Sequence, residues 1–216
     1  RIAALARWRD AVAAARDDLI AAVSVDTGRR AESLREADNI GKWIDRWSNA
    51  ARQALAPRMT QTSNPAFQAT SGFMAIPVLG VISPWNFPMS LSLMDAIPAL
   101  LAGCAVVIKP SEVTPRFVAP LVRTLADIPE LAGIVTYVQG DGATGAALVD
   151  RVDGICFTGS TATGRKVAAQ AGARLIPCFV ELGGKDAAIV LEGSDIERAT
   201  SAILTGATLG TGQQCY

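Results

Sequence analysis

The sequence predicts an α/β fold, in which a parallel β-sheet carries helices on both faces. From about residue 76 onward, short apolar runs alternate with segments of helical periodicity, and this order is typical of a parallel sheet with crossover helices. Half of the 216 residues are hydrophobic and only 19% are charged, which is enough apolar material to bury a sizeable core. We therefore expect a globular chain with this sheet at its centre.

The predicted strands are short apolar runs, most of which are bounded by turn residues. They span residues 78–83, 105–109, 134–138, 154–158 and 178–182. The helical intervals between them span residues 91–101, 115–126, 143–149 and 161–171. A sixth strand at 187–191, followed by a helix that Ser194 or Asp195 caps and that reaches about Leu209, would begin another α/β unit.

The segment before the sheet is predicted to be helical. Apolar residues such as Ile2, Leu5 and Trp8 recur at helical spacing, and the pattern starts again after Gly28. Two amphipathic helices are therefore expected in residues 1–55. Residues 57–71 are rich in Thr, Ser, Gln and Asn, which predicts a linker or an exposed hairpin.

The charge balance limits the classes of partner. Twenty basic residues match twenty acidic ones without a long block of one sign, so neither a nucleic-acid groove nor an anionic membrane patch is expected. The longest apolar stretch, residues 96–108, is shorter than the roughly 20 residues that a bilayer requires. We expect a cytoplasmic protein whose partners are small molecules, because the four cysteines also lack paired spacing and no signal peptide precedes the first helix.

The chain contains no histidine. A Ser-His-Asp triad, a Cys-His dyad and a histidine-ligated zinc site are therefore impossible within it, and we expect no metal site. The chain starts at Arg1 without a methionine and stops at Tyr216, one residue after a cysteine. We expect it to be trimmed at both ends.

Two glycine-containing loops each follow a predicted strand and open a helix. The first, Gly-Asp-Gly-Ala-Thr-Gly from Gly140 to Gly145, fits a dinucleotide fingerprint, although Asp153 comes too early to be its ribose-binding acid. The loop predicts either cofactor contact or a tight turn. In the second, Phe-Thr-Gly-Ser-Thr, Gly159 and Ser160 could hold a phosphate at the helix N-terminus, or Ser160 could simply cap the helix.

Polar residues follow two more predicted strands. Lys109, Ser111 and Glu112, in Lys-Pro-Ser-Glu, lie just past a strand end, where open α/β sheets bind ligands. Lys109 and Glu112 could hold ribose hydroxyls or form a surface ion pair. Asn86 lies between two prolines in Pro-Trp-Asn-Phe-Pro. Either its amide projects from a fixed turn, or it makes an Asx-turn while Trp85 packs in the core.

The last two candidates are an acid and a thiol. Glu181 ends the apolar run Cys-Phe-Val before two glycines, where a buried carboxylate is costly unless it has a partner or a role. Cys215, in Gly-Gln-Gln-Cys, is predicted on a loop after a helix, as a nucleophile or as an inert packing residue. Packing is the expected role of the other cysteines, Cys104, Cys156 and Cys178.

The order of five motifs resembles that of the aldehyde dehydrogenase superfamily, and the resemblance extends from the N-terminal helices to the last residue. The motifs are Pro-Trp-Asn-Phe-Pro, Lys-Pro-Ser-Glu, Phe-Thr-Gly-Ser-Thr, Glu-Leu-Gly-Gly-Lys and Gly-Gln-Gln-Cys. The resemblance implies an NAD(P)-binding domain over 1–184, which divides into helices (1–55), a linker or oligomerisation hairpin (56–77) and a Rossmann-like part (78–184). Residues 185–216 would begin a second α/β domain, the catalytic one, truncated just after its cysteine.

The resemblance also implies catalytic roles. Cys215 would attack an aldehyde carbon, and the Asn86 amide with the backbone N–H of Cys215 would hold the oxyanion. Glu181 would activate the water that hydrolyses the resulting thioester, and would help to deprotonate Cys215. This mechanism predicts that the thiol, the amide and a buried carboxylate converge beside the nicotinamide.

The cofactor implied by the resemblance is NAD, with NADP as a possible substitute. Lys109 and Glu112 would contact the adenosine ribose, Ser111 would be a further cofactor contact, and Gly159 with Ser160 would bind the pyrophosphate. Gly140 would lie near the adenine, and Trp85 and Leu182 are further expected contacts. The Glu112 carboxylate would repel the 2′-phosphate of NADP, which favours NAD. A homodimer or homotetramer is expected.

Three other functions are compatible with parts of the sequence. A CoA-acylating semialdehyde dehydrogenase would resolve the thioester with a thiol, but Glu181 favours water. A non-catalytic nucleotide-binding fragment would have an inert Cys215. A methyltransferase or another Rossmann binder would explain the Gly140 loop but neither Asn86 nor Cys215.

Overall fold

The computed structural model describes residues 1–215, which begin with three helices rather than the two expected. These are α1 (Ile2–Ala14), α2 (Arg16–Thr27) and α3 (Arg30–Ala54). The single residue Ala15 separates α1 from α2, and Gly28 ends α2 in the left-handed conformation that glycine adopts without strain.

An antiparallel hairpin follows the helices. It pairs β1 (Arg58–Gln61) with β2 (Gln68–Ser71), and every residue of both strands is exposed. The exposed hairpin was predicted from its polar composition. Its use in oligomerisation stays a prediction.

A five-stranded parallel sheet forms the centre of the molecule, with strand order β5-β4-β3-β6-β7. Its strands are β3 (Val78–Ile82), β4 (Ala105–Lys109), β5 (Val135–Tyr137), β6 (Gly154–Gly159) and β7 (Cys178–Leu182). The strand order reverses direction between β3 and β6, as in a Rossmann-like doubly wound sheet. The predicted fold class is confirmed.

Helices cover both faces of the sheet. On one face, α8 (Gly142–Val149) and α9 (Thr161–Ala173) pack over a cluster that includes Ile155 and Phe157. The opposite face packs against the N-terminal helices and four further ones. These are α4 (Pro88–Met94), α5 (Ala96–Ala102), α6 (Val118–Arg123) and α7 (Pro129–Ala132).

Prolines alter two of the predicted helices. The helix expected at 91–101 is split into α4 and α5, because Pro98 has no N–H to donate to the carbonyl of Met94. The helix expected at 115–126 begins only at Val118, which places Pro120 within the first turn, where a missing N–H is tolerated.

The C-terminal segment differs most from the prediction. Residues 183–195 contain neither helix nor strand, so the strand predicted at 187–191 was wrong. Its apolar side chains have no strand to pair with among the described residues, and Ile189 is 84% exposed. The following helix, α10 (Ile196–Thr208), is capped by Asp195 as expected, and a 3-10 turn at Leu209–Gly212 leads to Cys215. No helix within residues 1–215 has the length and apolarity needed to cross a bilayer.

Candidate active site

A cleft of about 700 Å³ opens at the edge of the sheet where the strands end. It is lined by the loops that follow β3, β4, β6 and β7, by the start of α8, by α9 and by residues 212–215. The loops after β3 and β6 flank the point at which the strand order reverses, and this is where open α/β sheets bind ligands. The cleft is large enough for a cofactor or a small molecule.

The cleft brings together Asn86 and Cys215, which are 129 residues apart in the chain. The Asn86 Nδ2 donates to the Gln213 carbonyl at 2.8 Å and lies 3.9 Å from the Cys215 Sγ. Asn86 is only 8% exposed, and its Oδ1 is buried without a hydrogen-bond partner among the described residues. A buried amide donor is thus aimed at a sulfur atom.

Cys215 is exposed, whereas Cys104 and Cys156 are buried and Cys178 is half-buried. Burial raises the pKa of the Cys156 thiol to about 12 and also raises the pKa of Cys104 and Cys178. These three thiols are therefore poor nucleophiles at neutral pH. The geometry leaves Cys215 as the cysteine that a reagent or substrate in the cleft can reach.

An ion pair lies on the wall of the cleft. The Lys109 side chain, at the end of β4, is almost completely buried and donates to Glu112 Oε2 at 2.8 Å. This hydrogen bond holds the pKa of the Glu112 carboxyl below its usual value. Ser111 also lines the cleft and accepts a hydrogen bond from the Val113 N–H at 3.2 Å. The pair places one ammonium and one carboxylate where ribose hydroxyls could bind.

The N-terminus of α9 opens into the same cleft. Ser160 caps this helix, and its Oγ accepts from the Thr163 N–H at 3.3 Å, so the predicted capping role is present. Ser160 also lines the cleft together with Gly159. A Cβ at position 159 would come within 2.8 Å of the Phe157 ring, so only glycine lets the backbone lie this close to the ring. Free N–H groups and the positive end of the helix dipole favour an anion here.

Two predicted cofactor contacts lie outside the lining of the cleft. Gly140 has a φ of +156°, and a Cβ there would overlap the Thr144 side chain, so a tight turn explains this glycine. Leu182 is half-buried in the cluster beneath α9, where its side chain lies against Gly164. In this structure Gly140 allows a tight turn, and Leu182 packs beneath α9.

The expectation of a buried Glu181 was wrong. Glu181 is exposed because β7 is the edge strand, and no other layer within residues 1–215 covers the face of β7 that carries Glu181 and Phe179. It pairs with Thr158 on β6, two residues before Gly183, which lines the cleft. Its charge also acts on Asp95, whose pKa is raised first by burial and second by repulsion from Glu181. Asn86 and Cys215 therefore converge, whereas Glu181 lies beside the cleft. Trp85, for which either cofactor contact or core packing was expected, is 42% exposed and lines the cleft.

Several lining residues were not predicted from the sequence. Asp141 lies at the start of α8, where its carboxylate accepts from the N–H groups of Ala143 and Thr144. Lys166 and Gln170 lie on α9 one turn apart. They are four residues apart, which places them on one face of the helix that Ser160 begins, and this spacing could have indicated them.

These features fit a dinucleotide better than a metal ion. The cleft offers a cation–carboxylate pair and a helix N-terminus, and the buried Ser83 Oγ on its wall has no hydrogen-bond partner within the described chain. By contrast, residues 1–215 contain no group of three His, Cys, Asp or Glu side chains arranged to hold a metal.

Comparison with known proteins supports the resemblance noted above. The profile of the aldehyde dehydrogenase family matches residues 1–216. A protein of Mycolicibacterium smegmatis named "Putative succinate-semialdehyde dehydrogenase", with NADP(+) as its named cofactor, is 40% identical over 223 residues. The solved structure of "Putative Aldehyde Dehydrogenase PutA" from Anabaena variabilis is 51% identical with a TM-score of 0.97, and the NAD+ complex of aldehyde dehydrogenase from Bacillus cereus is 27% identical with a TM-score of 0.90.

The chain is shorter than these proteins. Each of the three matches covers all of this chain, but only 42% of the M. smegmatis protein, 46% of the A. variabilis chain and 44% of the B. cereus chain. The chain thus spans less than half the length of the relatives that it matches.

Proposed function

Because the chain belongs to the aldehyde dehydrogenase family, we propose that its cleft serves the oxidation of an aldehyde to a carboxylic acid, with NAD(P) as the hydride acceptor. The observation that carries this proposal is the 3.9 Å approach of the Asn86 Nδ2 to the Cys215 Sγ inside the cleft. The whole reaction is RCHO + NAD(P)⁺ + H₂O → RCOOH + NAD(P)H + H⁺. Since the chain spans less than half of its relatives, these residues supply only one part of that enzyme.

In the first step, Cys215 loses its thiol proton, which Glu181 passes to solvent, and the resulting thiolate attacks the carbonyl carbon of the aldehyde. The carbonyl oxygen becomes an oxyanion. The Asn86 Nδ2, which is already directed at the sulfur, and the Cys215 backbone N–H each donate a hydrogen bond to this oxyanion. The Gln213 carbonyl fixes the orientation of the amide at 2.8 Å, so little reorganisation is needed as charge develops. Preorganised donors of this kind are often the largest contribution to catalysis of such reactions.

The second step leaves an acyl group on Cys215 as a thioester. When bound, the nicotinamide ring supplies the acceptor for the hydride that leaves the carbonyl carbon. Lys109 and Glu112 would hold the ribose of the adenosine, and the N–H groups near Gly159 and Ser160 would bind the pyrophosphate. The almost complete burial of Lys109 and the exposure of the α9 N-terminus to the cleft support these assignments.

In the third step, Glu181 takes a proton from the water that attacks the thioester, the carbon–sulfur bond breaks to release the carboxylic acid, and the Cys215 sulfur regains the proton. The position of Glu181 supports this role, because Glu181 lies at the end of β7, two residues before Gly183, which lines the cleft together with Gly184. A carboxylate at the cleft edge can accept a proton without a histidine, which the chain lacks.

A test of the proposal compares the reactivity of the four cysteines. We expect iodoacetamide at pH 7 to alkylate Cys215 faster than Cys104, Cys156 and Cys178, and we expect an aldehyde substrate to slow this reaction. Peptide mass spectrometry assigns each site, with Cys178→Ala as the matched control for Cys215→Ala. Equal, slow alkylation of all four thiols would contradict the proposal and would favour a non-catalytic nucleotide-binding role.

We propose NAD as the preferred cofactor. The hydrogen bond from Lys109 keeps Glu112 ionised, and this carboxylate would oppose the 2′-phosphate of NADP. Calorimetric titration of the chain should therefore show tighter binding of NAD than of NADP, and Glu112→Gln should narrow the difference. Glu130→Gln, which changes an exposed carboxylate paired with Arg7, is the control. Tighter binding of NADP by the unmodified chain would overturn this preference.

A further inference from the structure

A buried arginine joins the two loops that carry the proposed oxyanion donor and nucleophile. Arg29 precedes α3 and is only 7% exposed. Its Nη1 donates to the Gly210 carbonyl at 3.0 Å, and its guanidinium carbon lies 4.9 Å from the centroid of the Phe87 ring. One guanidinium therefore contacts both a hydrogen-bond acceptor and an aromatic face.

Both contacts lie next to the proposed catalytic groups. Phe87 directly follows Asn86, and Gly210 precedes Cys215 by five residues. The Gly210 carbonyl also accepts from the Gln213 N–H at 3.2 Å and from the Thr211 Oγ1 at 2.6 Å. Since the Gln213 carbonyl in turn binds the Asn86 amide, the contact from Arg29 is linked through the turn to the Asn86–Cys215 pair.

The turn that Arg29 binds has a demanding backbone conformation. Gly210 and Thr211 have φ values of +61° and +60°, and Thr211 is a β-branched residue in a region that such residues rarely adopt. Backbone strain of this kind persists only where surrounding contacts determine the conformation. The hydrogen bond from Arg29 is one such contact, and it comes from a residue 181 positions away.

A second buried ionisable side chain, that of Glu36, lies close to Arg29. Glu36 on α3 is 2% exposed, and its Oε2 accepts from the Ser90 N–H, at the start of α4, at 2.8 Å. The Arg29 Nε and Nη2 and the Glu36 Oε1 are buried without hydrogen-bond partners within the described chain. Burial of such incompletely paired groups is unfavourable. A role in positioning explains why charged side chains, rather than apolar ones, occupy this site.

We propose that Arg29 is a positioning residue, which sets the Cys215 thiol against the Asn86 amide by holding the Gly210 turn on the Phe87 ring. This inference rests on the proposed function of Cys215 and Asn86. Arg29 lies outside the cleft and touches neither substrate nor cofactor in this role. Its removal should disorder the turn and leave the sheet intact.

The experiment measures the alkylation rate of Cys215 in Arg29→Ala and Arg29→Lys chains. The net free energy of one well-oriented hydrogen bond corresponds to a factor of roughly three to ten in an equilibrium constant. We therefore expect Arg29→Ala to slow the alkylation of Cys215 by about that factor. Arg29→Lys keeps the charge but loses the planar fork, and it should recover only part of the rate. Guanidinium ion at millimolar concentration should restore the rate of Arg29→Ala, whereas sodium chloride should not.

Two control variants separate positioning from loss of stability. Arg35→Ala removes an exposed arginine of the same helix, and Ile40→Ala weakens the core without touching the turn. Under conditions in which both variants remain folded, both should leave the rate at Cys215 unchanged. A double-mutant cycle with Asn86→Ala adds a further readout. If Arg29 acts through the Asn86–Cys215 alignment, the two effects should be strongly non-additive.

The outcomes distinguish this inference from the proposed function. If Cys215 in the unmodified chain reacts no faster than the other cysteines, the proposed function fails first. If Cys215 is reactive and a folded Arg29→Ala chain alkylates it at the unmodified rate, or if the cycle is additive, only the role of Arg29 is overturned. Should Arg29→Ala fail to fold, the alkylation rate of Cys215 in Arg29→Lys and Phe87→Leu decides whether Arg29 positions the thiol. Rates equal to that of the unmodified chain in both variants would overturn the role of Arg29.

Discussion

The helices α3 and α10 carry the same kind of amphipathic pattern, but only one of them has a covered apolar face. Along α3, Ile40 and Ile44 are at most 1% exposed, because they pack into the main core. None of the 13 residues of α10 is buried, and Ile196 and Leu204 are 64% and 58% exposed. An amphipathic pattern thus specifies an apolar face, but it does not specify what covers that face.

The strands show the same contrast. Val81 on the central strand β3 is 1% exposed, whereas Val180 on the edge strand β7 is 42% exposed. Within residues 1–215, apolar side chains on both β7 and α10 lack a covering layer. A patch of exposed apolar surface favours association, so we expect this chain by itself to have little or no turnover and to self-associate at high concentration, whereas the unfolding predictions below apply to dilute, monomeric chain.

The largest expected effect comes from truncating one isoleucine in each helix. Ile40→Ala removes a fully buried side chain from α3 and should lower the free energy of unfolding by roughly 4 kcal/mol. Ile196→Ala removes the same atoms from an exposed site on α10, and the change should be within about 0.5 kcal/mol. Urea denaturation followed by circular dichroism gives both values. Equal losses would mean that α10 has a covered face in solution.

A smaller effect, which depends on pH, is expected at Glu36 on α3. Burial raises the pKa of its carboxyl to about 7, although the Ser90 N–H and Arg29 oppose the shift. The folded chain therefore binds this proton more tightly than the unfolded chain. The stability that results is complete below the unfolded pKa of 4.5 and is lost as the pH rises through about 7.

The measurement compares Glu36→Gln with the unmodified chain across this range. Relative to the variant, the unmodified chain should lose up to about 3 kcal/mol of unfolding free energy between pH 4.5 and pH 8. Glu197→Gln, at the exposed start of α10, should show no such slope and is the matched control. A parallel pH dependence in the Glu36→Gln and unmodified chains would rule out this role of Glu36.

Local patterns made the sheet predictable. All five strands of the parallel sheet lie within a residue or two of their predicted bounds, because apolar runs and their flanking turn residues are adjacent in sequence. The loops that line the cleft could be predicted for the same reason, since each follows a strand end. Asn86, Lys109, Ser160 and Cys215 therefore lie in one cleft, as the motifs indicated.

What could not be predicted depends on partners distant in the chain. The hydrogen bond from Arg29 to Gly210 spans 181 residues and has no local pattern. The strand expected at 187–191 and the buried Glu181 were inferred from apolar context alone, which reports hydrophobicity and not the presence of a neighbouring layer. Glu36 did carry a local signal, because it interrupts the stripe of apolar and small residues on α3, but that signal did not reveal its partner.

The smallest effect tests the caps of two helices that differ in coverage. Asp141 caps α8, which packs against α9 and the sheet, so Asp141→Ala should lower global stability by about 1 kcal/mol. Asp195 makes the equivalent hydrogen bond to the Arg198 N–H on α10. Because α10 buries no residue, it should unfold locally before the sheet does. Asp195→Ala should therefore speed amide hydrogen exchange along α10 and leave the urea midpoint unchanged. A shift of that midpoint comparable to the one from Asp141→Ala would mean that α10 unfolds together with the sheet, and its exposed face would then have to be covered by another copy of the chain.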